Sequence, residues 1–210
     1  MTIARIGLSA LAFLVAGLLA GLVAGLTCPA VAAEATLVRL DTPRGAKQAF
    51  ILIKPDKPPV AAVILFAGGH GGLQLKSATS MGWGSGNFLV RMRESFAKQG
   101  FMVAVVDAPS DHQQGMAASF RISQDHAGDI GAVVSRLKKE ADVPVWVVGT
   151  SMGTFSAASA AVNGAGADGL VLTSTVTRAK PQWNIAKSHP NGVASLPLEK
   201  VKVPTSILSH

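Results

Sequence analysis

Along the chain, apolar runs alternate with segments of helical period, and glycine-rich stretches stand at several junctions. Ala35 to Leu40 and Gln48 to Pro55 predict two strands around the turn Asp41-Thr42-Pro43-Arg44-Gly45. Val60 to Phe66 is apolar throughout, as suits a strand covered on both faces. It empties into Ala67-Gly68-Gly69-His70-Gly71-Gly72. A second glycine-rich stretch, Gly82-Trp83-Gly84-Ser85-Gly86-Asn87, leads into a predicted helix. Asn87 is its expected N-cap, Phe88, Val90, Met92 and Phe96 supply the apolar positions, and Gly100 ends it.

Phe101 to Val106 predicts the next buried strand, ending in Asp107-Ala108-Pro109. Ser123 caps a predicted helix that runs through Glu140, with Ile130, Val133, Val134 and Leu137 at helical spacing. Val143 to Val148 is another strand, followed by a helix of small residues from Gly153 to Val162. Gly169 to Thr173 and Val203 to Leu208 complete the strands, whereas Arg178 to Lys200 lacks a period and reads as loop with a short helix. Apolar strands separated by single helices imply parallel βαβ units, hence an α/β fold whose mostly parallel sheet carries helices on both faces.

The first 33 residues stand apart from this pattern. Arg5 gives a positive start, Ile6 to Leu26 is uncharged Ala, Leu, Val and Gly, and Pro29 precedes the small residues Val31-Ala32-Ala33. This is the anatomy of a signal peptide with cleavage before Glu34, so residues 34–210 form the expected single domain and the product is exported to the periplasm or medium. An uncleaved membrane anchor is the alternative, because the run approaches the ~20 residues that span a bilayer. A lipoprotein acylated on Cys28 fits less well, since Gly25-Leu26-Thr27-Cys28 puts Leu at the wrong place for that signal.

Composition narrows the function. The chain of 210 residues has one cysteine, which excludes a disulfide scaffold and any zinc site built on several thiolates. A formal charge of +7 invites a nucleic-acid reading, but charged residues are only 15% of the chain and Tyr is absent. The densest basic clusters are the pairs Arg91/Arg93 and Lys138/Lys139, with no basic stripe interleaved with aromatics, so no nucleic-acid partner is expected. Asp107, Asp111 and His112 cluster after a strand but match no metal-ligand spacing, and turn and cap chemistry accounts for them. Asp125, His126 and Asp129 fall on the first turns of a helix, where carboxylates complement the dipole. Trp83, Trp146 and Trp183 read as packing residues, with Trp83 in a loop that borders the site proposed next.

Between Pro144-Val145-Trp146-Val147-Val148 and the small-residue helix lies Gly149-Thr150-Ser151-Met152-Gly153. This G-x-S-x-G sits where the pattern has a mechanism: a serine on a sharp strand-to-helix turn is pushed towards strained backbone angles, and its hydroxyl projects above the sheet. Side chains two residues before and after it would collide, so both places demand glycine. The helix N-terminus behind favours an anion at the serine. Acyl transfer through Ser151 also needs donors for a developing oxyanion. The backbone N–H of Met152 is one. The loop Gly68-Gly69-His70-Gly71-Gly72 supplies the other from Gly69 or His70, with the His70 side chain ordering the loop. Neither glycine-rich stretch has the spacing of a phosphate cradle.

Three segments carry a resemblance to the α/β-hydrolase superfamily, particularly to small secreted bacterial esterases and dienelactone hydrolases. They are Leu65-Phe66-Ala67-Gly68-Gly69-His70-Gly71, Val105-Val106-Asp107-Ala108-Pro109-Ser110 and Val148-Gly149-Thr150-Ser151-Met152-Gly153-Thr154. The resemblance runs from about Val60 to His210. It implies a Ser nucleophile, a His base and an acidic orienter, a small-molecule acyl substrate, and neither cofactor nor metal. In that family the acid and then the His follow the nucleophile. Here Val201 to His210 resembles the strand that leads to the acid, so the fold is expected to be C-terminally incomplete and His210 is not assigned as the base. Within the chain, Asp107 as a displaced acid and His70, His112 or His189 as the base are the alternatives. A catalytically inactive binding protein of the same fold is the rival reading.

Overall fold

The computed structural model describes residues 34–208; the expected signal peptide at residues 1–33 and the terminal residues 209–210, with His210, lie outside the described residues. Seven strands form one sheet: β1 (Glu34–Asp41), β2 (Lys47–Lys54), β3 (Ala61–Phe66), β4 (Phe101–Val106), β5 (Val145–Thr150), β6 (Gly169–Thr173) and β7 (Thr205–Leu208). Four helices connect them: α1 (Phe88–Lys98), α2 (Ala118–Arg121), α3 (Gln124–Glu140) and α4 (Gly153–Val162). The strand order is β1-β2-β4-β3-β5-β6-β7. β1 and β2 form an antiparallel hairpin that joins β4 antiparallel, and every later pairing is parallel. The predicted mostly parallel α/β sheet is therefore present, with the strand limits moved by one or two residues.

Period-two alternation sorts the central strands onto two faces. Phe50, Leu52, Ala62, Ile64 and Phe66 face the layer containing Ile130, Val133 and Leu137 of α3 and Phe155 of α4. Ile51, Ile53, Val63 and Leu65 face Leu89, Val90 and Ala97 of α1. Strands β3 and β4 are apolar throughout because both faces are covered, and all six residues of β3 are buried. β7 forms the far edge of the described sheet, where Ile207 and Leu208 are exposed.

Ser123 caps α3 as expected, its hydroxyl accepting from the His126 N–H at 3.1 Å. Asn87 does not cap α1 through its side chain. Its amide lies instead beside Gly68, where a Cβ would stand 3.3 Å from Nδ2, so tertiary contact with the glycine-rich loop has drawn it off the helix end. Residues 178–200 form loop with two 3₁₀ turns, Gly192–Ser195 and Leu198–Lys200.

Asp129 corrects the dipole reading of its helix. Its side chain is fully buried and accepts from Nε and Nη2 of Arg44 at 3.0 and 2.8 Å, an ion pair reaching from the β1–β2 turn. The other side of the Arg44 guanidinium binds Asp111, whose carboxyl that hydrogen bond holds below the usual range. His112 stacks on Phe120 at 3.8 Å between ring centroids. Among the described residues no group of three or more His, Cys, Asp and Glu side chains is arranged to hold a metal, and no helix is long and apolar enough to cross a membrane.

Candidate active site

The strand order brings distant segments together. β3 and β5 are parallel neighbours, with Phe66 paired to Gly149, so the loop after β3 and the turn after β5 emerge side by side from the same sheet edge. Ser151 sits on that turn with φ +51°. A left-handed backbone is costly for a residue with a Cβ and persists only when its surroundings impose it. Here they do. The Ser151 N–H donates to the Thr173 carbonyl at 3.1 Å, and its carbonyl accepts from Thr154 N–H at 2.9 Å and from Thr154 Oγ1 at 2.5 Å.

Both flanking glycines are sterically required. A Cβ on Gly149 would stand 2.4 Å from the Gly153 carbonyl oxygen, and one on Gly153 would stand 2.3 Å from that of Phe66. α4 then begins at Gly153, two residues beyond the serine, and its buried small residues press it against the sheet. Ser151 itself is exposed. Among the described residues no carboxylate or imidazole hydrogen-bonds its hydroxyl.

The glycine-rich loop lies against the serine: a Cβ on Gly68 would be 3.1 Å from Ser151 Cβ. Four contacts shape the loop. The Met116 N–H donates to the His70 carbonyl at 2.8 Å. His70 Nδ1 accepts from Gly72 N–H at 3.1 Å, so a neutral ring carries its proton on Nε2. The same ring lies against Trp83 with centroids 3.9 Å apart and the planes tilted by 37°. Arg121, fully buried at the end of α2, donates from Nη2 to the Gly69 carbonyl at 3.0 Å and from Nη1 to Ser156 Oγ at 3.0 Å.

Just past the loop, the Asp107 carboxylate accepts from the backbone N–H groups of Leu73, Gln74, Leu75 and Ala108 at 2.6–3.1 Å. Three of these donors follow the glycine-rich loop and one follows β4, and no histidine among the described residues bonds the carboxylate, so it does not take the part of a displaced acid. His126 is fully buried, with neither ring nitrogen partnered, near Phe66 and Phe120. Burial, with the charges of Arg121, Arg44 and His112 adding to it, lowers its pKa to about 3. His189 Nδ1 pairs with Ser188 Oγ at 2.9 Å.

A cleft of about 430 Å³ opens over this junction, bounded by Gly69, His70 and Met152 on the side of the glycine-rich loop and the serine turn. Met116, Ala117 and Ala118 form one wall and Gln182, Trp183 and Asn184 the other. A 2.6 Å hydrogen bond from Asn184 Nδ2 to Ser119 Oγ ties the two walls together. The walls were not legible in the sequence: Trp183 reads there as packing, and it does contact Phe155 edge-on at 6.4 Å, yet it also faces the cleft. Trp146 does pack, covering Gly169 so closely that a Cβ there would lie 2.3 Å from its ring.

A serine on a strained strand-to-helix turn, with a glycine-rich loop from the neighbouring parallel strand beside it, defines the α/β-hydrolase superfamily. Residues 81–210 match the family described as serine aminopeptidase, S33. The chain belongs to that family of α/β hydrolases.

Solved structures with similar folds include the thermostable carboxyl esterase from Bacillus coagulans, at 19% identity and TM-score 0.51 over 69% of this chain and 46% of that one. A cold-adapted esterase from an Arctic intertidal metagenomic library is similar at 14% identity and TM-score 0.57, over 85% of this chain and 73% of the other. Esterase Est22 is similar at 16% identity and TM-score 0.57, over 92% and 71%. The chain thus spans about half the length of the Bacillus esterase and nearly three quarters of the other two. At these identities the likeness is one of fold. No curated protein matches the sequence.

Proposed function

We propose that the protein is a serine hydrolase that cleaves an ester or related acyl compound through an acyl-enzyme on Ser151. The observation that carries this reading is the exposed Ser151 at φ +51°, standing beside a cleft bounded by Gly69, His70 and Met152. Attack of Oγ on the acyl carbon, with its proton passing to water, forms a tetrahedral oxyanion that the N–H of Met152 and one from Gly69 or His70 receive. Its collapse breaks the bond between the acyl carbon and the alkoxy oxygen, and the alkoxide takes a proton from water and leaves as the alcohol. A second water hydrolyses the acyl-enzyme to release the acid and restore the serine. None of the Met152, Gly69 and His70 amides is engaged by a protein acceptor among the described residues.

The cleft walls favour an uncharged acyl group. Met116, Ala117, Ala118 and Trp183 are apolar, and Gln182 and Asn184 are neutral, so no carboxylate among the described residues lines the cleft to receive an α-ammonium group. This supports an ester substrate over a peptide with a free amino terminus. A second reading, a binding protein that keeps the cleft without turnover, is favoured by the lack of any histidine bonded to Ser151 among the described residues. A fluorophosphonate probe separates the two. Labelling of the full chain that is lost in Ser151→Ala supports the enzyme, and a folded but unlabelled protein that hydrolyses no p-nitrophenyl ester supports the binder. Export rests on the leader pattern of Arg5, Ile6 to Leu26 and Val31-Ala32-Ala33. The mass of the mature form tests it against the membrane-anchored alternative.

A further inference from the structure

Arg121 is the one fully buried arginine among the described residues, and no sequence pattern marks it. Its guanidinium forms no ion pair among the described residues. Nη2 donates to the Gly69 carbonyl and Nη1 to Ser156 Oγ, while Nε has no partner. Burial lowers its pKa to about 10, which leaves it charged at neutral pH. An uncompensated buried charge is expensive and survives only where the fold holds it in place.

Its two partners stand on the two halves of the proposed oxyanion site. Ser156 belongs to α4, the helix behind Ser151 and Met152, and Gly69 belongs to the glycine-rich loop. The Gly69 carbonyl and the His70 N–H share one trans peptide unit, so they point in opposite directions. Arg121 is completely buried below the loop, whereas Gly69 and His70 are exposed and line the cleft above it. A carbonyl drawn down to the guanidinium therefore turns the His70 N–H up into the cleft. Gly71 leaves room for this, since a Cβ there would lie 2.3 Å from Nη2.

We propose that Arg121 is the positioning residue of the oxyanion site. By bridging the Gly69 carbonyl and the Ser156 hydroxyl it selects the His70 amide as the loop donor and fixes it relative to the Met152 amide. The unpaired charge also lies beneath the place where negative charge develops, and a low-dielectric surround strengthens that attraction. The role rests on the Ser151 reading above. A lysine at 121 would keep the charge but lose the fork that reaches both partners at once.

The test compares wild type with Arg121→Gln, Arg121→Lys and Ser156→Ala, each checked for folding by circular dichroism. Two quantities are read: the rate constant for fluorophosphonate labelling of Ser151, and the ¹⁵N shift and exchange protection of the His70 amide. Arg121→Gln is expected to slow labelling by about 10²–10³-fold, the range seen when an oxyanion donor is lost. Its KM for p-nitrophenyl butyrate should stay within about threefold of wild type, since the defect is in the transition state. Arg121→Lys should fall between, and Ser156→Ala should slow labelling by roughly threefold to tenfold. All three should move the His70 amide resonance. An unchanged labelling rate and an unmoved His70 amide in folded Arg121→Gln overturn the proposal. If that variant does not fold, the same pair of results in Ser156→Ala overturns it. If wild type is never labelled, the Ser151 reading falls and the oxyanion role falls with it, while the amide still tests the geometry: a moved resonance shows that Arg121 sets the Gly69–His70 peptide, and an unmoved one overturns that as well.

Discussion

Acid should unfold this protein through His126. The side chain is fully buried, both ring nitrogens lack partners, and burial followed by the charges of Arg121, Arg44 and His112 lowers its pKa from 6.5 to about 3. In the unfolded chain the same ring titrates near 6.5. Above pH 6.5 both states hold it neutral, and its contribution to stability is fully present. As pH falls from 6.5 towards 3 the unfolded state takes up the proton and the folded state does not, so stability is lost across that window. At pH 5 the loss is about 2 kcal/mol, from 1.36 kcal/mol per pH unit below 6.5. For a domain of this size that is a fall in Tm of roughly 4–8 °C.

The paired carboxylates do not mimic this effect. Asp111 is held below the usual range by its hydrogen bond to Arg44, and Glu140 by those to Lys54 and then Arg136, so both stay charged in the folded protein at pH 5 and mostly charged in the unfolded chain. The assay is urea denaturation followed by tryptophan fluorescence at pH 8, 6.5 and 5, for wild type and His126→Leu. Leucine has nearly the volume of histidine and no proton to gain, and it removes two unpartnered nitrogens. Wild type should lose about 2 kcal/mol more than the variant between pH 8 and pH 5. Parallel pH dependences in the two proteins would refute the reasoning, because they would mean that the buried ring is solvated or accepts its proton in the folded state.

Other consequences follow from contacts around the serine. Gly153→Ala places a methyl 2.3 Å from the Phe66 carbonyl oxygen and should cost about 3 kcal/mol or more in denaturation experiments, with loss of probe labelling. Asp107→Asn replaces an acceptor of four backbone N–H groups by a group that donates on one side, so stability should fall by about 2–4 kcal/mol. Hydrogen exchange at Leu73, Gln74 and Leu75 should speed up in that variant before global unfolding does. Trp183→Ala removes the largest side chain lining the cleft and should raise KM for p-nitrophenyl octanoate roughly tenfold, equivalent to about 1.4 kcal/mol, with little effect on the acetate. Equal losses on both esters would place Trp183 in the packing role alone.

What the sequence determined by itself was local. Strand after strand of apolar residues, the small-residue helix and the glycines at 149 and 153 each state their conformation within a few neighbours, because period, capping and Cβ clashes act over one turn or one pleat. Even the placement of Ser151 on a strand-to-helix turn is of this kind. The tertiary structure alone decided which distant residues meet. Pairing β3 with β5 sets the Gly68 loop against Ser151, and the packing of α2 beneath that loop puts Arg121 under Gly69. The same packing consumes Asp107 on backbone amides, turns Asn87 away from its helix and buries Asp129 against Arg44. It also makes Trp183 a wall of the cleft. None of these contacts has a sequence period, since each depends on strand order and on how closely two layers approach.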